Sequence, residues 1–237
     1  MKRHVPPLRV LFTASGLALL APIGARAALV DLQFGSTGPT PSTQFSGAAL
    51  TGAAGDQWNY FQSGSGSSPL TNAAGQASGL SVTFAASGAY GVVPSASGFY
   101  GTPYAALMQS FIYTSSTISI TLQGLVPGQA FALYIYGQSD QNSGQFGGTV
   151  TVNGSTQTAL ESTYTSFVNN GNYLLFEGTA DAAGTIAISD AVAPGRSQTM
   201  VNGIQLTTQT VPEPMALSLF GFGVAALWLV RRRSDAA

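Results

Sequence analysis

Residues 116–137 read STISITLQGLVPGQAFALYIYG, and the fold class follows from this stretch. Polar and apolar side chains alternate through residues 116–122, the period of a half-buried strand. Gly124-Leu125-Val126-Pro127-Gly128 then makes a turn on Pro127-Gly128, since proline presets φ and glycine takes positive φ without strain. Residues 130–137 resume the alternation, with Phe131, Leu133 and Ile135 on one face and Tyr134 and Tyr136 on the other.

Outward from there the same grammar recurs. Residues 149–152 run into Asn153-Gly154, a strong hairpin signal, and the chain resumes at 155–160. Residues 173–176, 185–189 and 203–207 supply later strands; 29–34, 58–62 and 80–85 supply earlier ones. Residues 104–111 (YAALMQSF) are the one helical candidate, a turn or two long, and 63–68 (SGSGSS) read as a flexible loop. About ten short strands at this spacing predict an all-β domain, an antiparallel β-sandwich of jelly-roll type, over residues 28–210. No period of about 20–50 residues repeats, so neither a propeller nor a solenoid is indicated.

Composition narrows the chemistry. Charged residues make up 7% of the chain, against about 25% in ordinary globular proteins. Between Ala28 and Thr210 the one base is Arg196, set against Asp31, Asp56, Asp140, Glu161, Glu177, Asp181 and Asp190. An acidic body without clustered Lys and Arg cannot neutralise phosphates, which excludes nucleic acid as a partner. There is no Cys, and the single His is His4. The body therefore lacks thiol nucleophiles, Cys/His zinc sites and any Ser-His relay. With no disulfide available, burial and backbone pairing must hold the fold.

The two ends read as addresses. Residues 1–27 form a secretory signal: Lys2, Arg3 and Arg9 lead an apolar run over 10–23, followed by an Ala25-Arg26-Ala27 cleavage site that leaves Ala28 as the mature N-terminus. Residues 211–233 begin with Val211-Pro212-Glu213-Pro214, continue through an apolar transmembrane helix at 215–230 and close on Arg231, Arg232 and Arg233. Sixteen residues span about 24 Å as a helix, and the arginines fit a cytoplasmic flank.

A V-P-E-P motif, an apolar helix and an arginine cluster in that order resemble the PEP-CTERM sorting signal. The resemblance implies a Gram-negative host that makes exopolysaccharide, secretion across the inner membrane, and processing by an exosortase to a cell-envelope or extracellular form. The string from Gly52 to Tyr60 (GAAGDQWNY), the turn at 122–128 and the Tyr134-Ile135-Tyr136 strand are similar to the bodies of many PEP-CTERM proteins. Those bodies in turn resemble galactose-binding-like and carbohydrate-binding jelly rolls.

Candidate sites follow from residue chemistry. Trp58, Tyr60, Tyr134 and Tyr136 are aromatic faces on which sugar rings stack, and Asp56 and Asn59 are hydroxyl partners beside them. Trp58 reads first as the buried tryptophan of a sandwich core, and only second as a stacking face. Asp31, Asp140 and Asp190 are weak candidates for a structural calcium, which the jelly-roll resemblance implies; no other cofactor is indicated. The expectation is a non-enzymatic surface protein that associates with exopolysaccharide or biofilm. The alternatives are a surface spacer without a ligand and a carboxylate-dependent polysaccharide hydrolase or lyase.

Overall fold

The computed structural model describes residues 28–38, 40–139, 145–159 and 164–209. The signal segment, Asp140, the V-P-E-P motif, the expected helix at 215–230 and Arg231 to Arg233 lie outside the described residues. Among the described residues no helix is long and apolar enough to cross a membrane.

The two alternating segments become strands β7 (Thr117–Gln123) and β8 (Ala130–Tyr136) when strands are numbered along the chain. They lie in different sheets, so the turn on Pro127-Gly128 carries the chain from one layer to the other. The remaining strands before them are β1 (Ala28–Phe34), β2 (Asn59–Phe61), β3 (Ser65–Thr71), β4 (Ala77–Ala85), β5 (Gly88–Gly91) and β6 (Ser110–Thr114). After them come β9 (Gly148–Val152), β10 (Ser155–Ala159), β11 (Tyr173–Thr179), β12 (Thr185–Val192), β13 (Thr199–Val201) and β14 (Gly203–Thr208). One sheet runs β11-β8-β14-β1-β2, a second β10-β9-β12-β7-β4-β3, and a small third β13-β6-β5. Among the described residues all pairings between these strands are antiparallel except β1 with β2. The domain is an all-β sandwich.

The main core is built by the alternation read from the sequence. Ile118, Ile120 and Leu122 of β7 and Phe131, Leu133 and Ile135 of β8 belong to one buried cluster. The opposite face of the five-stranded sheet is also covered. Tyr136 packs there with Trp58, Phe45, Phe99, Leu107 and Met108, and the last two come from the short helix α1 (Ala105–Met108).

The Asn153-Gly154 hairpin forms as expected between β9 and β10, with φ of 45° and 89° at its two turn residues. Asn153 does more than turn. Its Oδ1 accepts the Ala187 N–H at 2.8 Å, and its Nδ2 donates to the Thr179 carbonyl at 3.1 Å, tying the hairpin to β11 and β12.

Two expectations need correction. Residues 63–68, read as a flexible loop, lead into and largely form the edge strand β3. Most of β3 is exposed on both faces, so it carries no apolar alternation for sequence reading to detect. Pro69 is tolerated because an edge strand pairs on one side only. Ser110 and Phe111, read as the end of the helical segment, begin β6, and the small third sheet was not anticipated.

Replacing Asn153 with Ala removes its side-chain hydrogen bonds and the tolerance of positive φ. A loss of about 1–2 kcal/mol is expected in denaturant unfolding. Asn153→Gly, which keeps the turn conformation, is expected to lose less.

Candidate functional site

Trp58 is 2% exposed. Its indole N–H donates to the Gly47 carbonyl at 2.9 Å, and its ring meets Phe45 edge-on at 5.2 Å. Tyr136 is fully buried, and its hydroxyl donates to Gln205 Oε1 at 2.5 Å. Neither ring is offered to a ligand, which corrects the stacking role considered for both. The covering loops explain why: the second face of the sheet has its own core, and these are its largest side chains.

The neighbouring candidates are structural in the same way. Asn59 donates to the carbonyls of Asp31 at 2.9 Å and Thr71 at 2.8 Å, and accepts the Thr71 N–H at 2.8 Å, joining β1 to the end of β3. Asp56 Oδ2 accepts the Ala53 N–H at 2.6 Å and closes a turn. The Tyr60 hydroxyl bonds Ser42 at 2.6 Å. Tyr134 is half-buried with its ring 6.4 Å from Tyr173.

The two described metal candidates are not brought together. Asp31 lies on β1 of the five-stranded sheet, and Asp190 on β12 of the six-stranded sheet. Among the described residues no three His, Cys, Asp or Glu side chains cluster as a metal site requires. Asp31 is fully buried, with Oδ1 accepting from Gln205 Nε2 at 2.8 Å and Oδ2 without a hydrogen-bond partner. Burial pushes its carboxyl up to about 7; the Gln205 bond opposes this, and the nearby Asp56 charge adds to it.

Exposed aromatic surface lies instead at Tyr100, 62% exposed in the loop before α1, and as a set of packed rings on the small sheet. Tyr90 of β5 stands directly across from Phe111 of β6, and Tyr113 lies across from Gly88. Tyr90 is 48% exposed and Tyr113 half-buried, while Phe111 is 2% exposed and forms their floor. The Tyr90 and Tyr113 rings are nearly perpendicular, at 86° with centroids 6.5 Å apart. Tyr90 lies 5.9 Å from Phe111, which in turn meets Phe146 at 6.0 Å. Gly88 allows the Tyr113 ring to lie down over the sheet: a Cβ there would stand 3.2 Å from the ring. The face therefore offers two tyrosine rings held by packing, each with a phenol hydroxyl. Sequence reading missed it by assigning Phe111 to a helix. The Phe111/Tyr113 alternation in 110–114 (SFIYT) was the available signal.

No protein-family model and no curated protein matches the chain. Among solved structures it is similar to the ectodomain of ANX2 from Arabidopsis thaliana, at 10% identity and a TM-score of 0.44, covering 77% of this chain and 51% of that one. The plant receptor-like kinase FER is similar at 16% identity and a TM-score of 0.37, covering 78% of this chain and 42% of that one. A ruminal GH26 endo-β-1,4-mannanase matches at 17% identity and a TM-score of 0.27, covering 44% of this chain and 20% of that one. The chain thus spans about half or less of the length of each, and at these scores the likeness does not establish a shared fold.

Two measurements check this placement. Trp58→Ala is expected to cost about 3–5 kcal/mol in unfolding, whereas Tyr90→Ala should change stability by less than about 1 kcal/mol. For Asp31, the folded protein holds a proton that the unfolded chain, with a carboxyl near 3.9, has lost. Its contribution to stability is therefore complete below about pH 4 and falls as pH rises through about 7. Asp31→Asn keeps an acceptor for Gln205, and the gap between denaturation midpoints at pH 5 and pH 8 is expected to narrow.

Proposed function

We propose that this chain is an exported envelope protein of a Gram-negative bacterium whose sandwich associates non-catalytically with exopolysaccharide or biofilm matrix. The observation that carries the binding half is the aromatic face of Tyr90 and Tyr113 on buried Phe111. The apolar C–H faces of pyranose rings stack on such rings, and the phenol hydroxyls reach sugar hydroxyls. Arg196 is the one base between Ala28 and Thr210, so the polymer such a body suits is neutral or weakly charged. The sorting half rests on the signal at 1–27 and the PEP-CTERM-like tail at 211–233, which make the secretion machinery, the inner membrane and an exosortase its partners in processing.

Hydrolysis is the less supported reading. A glycosidase pair needs two carboxyls about 5–10 Å apart on opposite sides of one bond. Among the described residues the two acids with raised pKa, Asp31 and Asp190, sit in separate sheets, both buried.

Affinity electrophoresis through gels containing the host's exopolysaccharide tests the binding half. The wild-type protein is expected to be retarded, and Tyr90→Ala or Tyr113→Ala to weaken apparent affinity about three- to tenfold, or about 0.7–1.4 kcal/mol. Equal migration with and without polysaccharide leaves the spacer reading; reducing-end release points to an enzyme. The mass of the protein recovered from culture tests the sorting half, with loss of both terminal segments expected.

A further inference from the structure

Asp190 is the third inward-facing residue of β12, after Ile186 and Ile188. It is 2% exposed, at a position where its two predecessors are core isoleucines. Its Oδ2 accepts a hydrogen bond from Thr199 Oγ1 at 2.6 Å, and its Oδ1 has no partner. The carboxyl borders a cavity of about 20 Å³ whose wall includes Ile135, Val150, Leu174 and Met200 together with Gly147 and Gly148. Gly148 is required there, because a Cβ would run into Asp190 Oδ1 and Thr199 Oγ1. Glycines contribute only backbone to a wall, so the cavity is not purely apolar.

An unpaired carboxylate oxygen inside a core is strongly unfavourable. A partly open cavity of this size admits one water molecule, which needs two to four polar contacts to stay. It cannot hold calcium, which takes about six to eight oxygen ligands. We infer that Asp190 and the backbone of Gly147 and Gly148 build a partly open site for a single water molecule, held on Asp190 Oδ1 and filled when the carboxyl is ionised, with Thr199 fixing the other carboxylate oxygen. When protonated, Asp190 is a neutral core residue that tolerates an empty cavity. When charged, it draws the water in.

The site sits at a joint. Thr199 and Met200 belong to β13, which pairs with β6 at Thr114 and Tyr113, and Phe146, next to Gly147, packs on Phe111. The same hydrogen bond that holds Asp190 therefore ties the six-stranded sheet to the strand paired beside β6 in the small sheet. Burial pushes the carboxyl up to about 7, and the Thr199 bond works against that shift. Strands β7, β9, β10 and β13 carry no acid or base. On β11, Glu177 is exposed and points away from the core, and β8 turns Tyr134 and Tyr136 to the opposite face. Arg196, in the turn after β12, lies against Gly147.

The test uses the full-length protein by NMR and thermal unfolding. Water–amide cross-relaxation at Gly148 and Thr199 is expected at pH 8 and weaker at pH 5; its absence at both overturns the site. Asp190→Asn is expected to melt higher than wild type at pH 8, by about 2–4 °C or more, with the difference shrinking at pH 5. An offset that is the same at both pH values overturns the link to charge. Should Asp190→Asn fail to fold, Thr199→Val provides a second reading. It removes the bond that favours ionisation, so the titration midpoint of the Asp190 carboxyl carbon is expected to move up. An unchanged midpoint contradicts the proposal.

Discussion

Strand β8 is covered on both faces, its inner face wholly buried and its outer face half-buried up to the fully buried Tyr136, and most of the molecule's other features depend on this. Phe131, Leu133 and Ile135 enter the core between the two large sheets, while Tyr136 enters a second cluster with Trp58 on the outer side. A sheet covered on both sides must satisfy its polar side chains internally. Gln33 does so by accepting the Phe45 N–H at 2.6 Å and donating to the Ala106 carbonyl at 2.8 Å. Gln205 binds Tyr136, Asp31 and the Thr51 carbonyl from the next strand. These bonds pin the loops that cover the sheet, and the loops bring the aromatic residues that fill the second core. The residues that look most like a sugar platform in the sequence are thereby used up in holding the fold.

The consequence for the surface is twofold. Tyr100 apart, the open aromatic rings lie on the small sheet, where Tyr90 and Tyr113 rest on Phe111. The surface is also less charged than the composition suggests, because Asp31 and Asp190 are withdrawn from it. Asp31 and Asp190 each keep one oxygen unpaired, one beneath the covering loops and one between the sheets. In a chain without disulfides, they are the places where proton activity reaches the packing directly.

How much of this was legible varied with the physics of each segment. Where one face is buried and the other open, as in 116–122, alternation identifies the strand. Where a turn demands positive φ, as at Asn153-Gly154, residue type does. The edge strand β3 is exposed along most of its length, so nothing in SGSSPLT records its pairing with β4. The third sheet was hidden because 104–111 holds both a single helical turn and the start of β6. For the site, residue chemistry named tyrosines and a tryptophan but could not choose among them. Whether a ring is core or surface depends on which loops cover it, and that is set by contacts far apart in sequence, such as Leu50 N–H to the Tyr136 hydroxyl at 3.2 Å.

The central claim is that the open tyrosines of the small sheet, and not the buried Trp58 cluster, meet the polysaccharide. Ring-proton NMR of the protein titrated with oligosaccharides cut from the host's exopolysaccharide tests this most directly. Saturable shifts at Tyr90 and Tyr113, with Trp58 and Tyr136 unmoved, are the expected result. Saturable shifts confined to other residues, or none at any concentration, would contradict it.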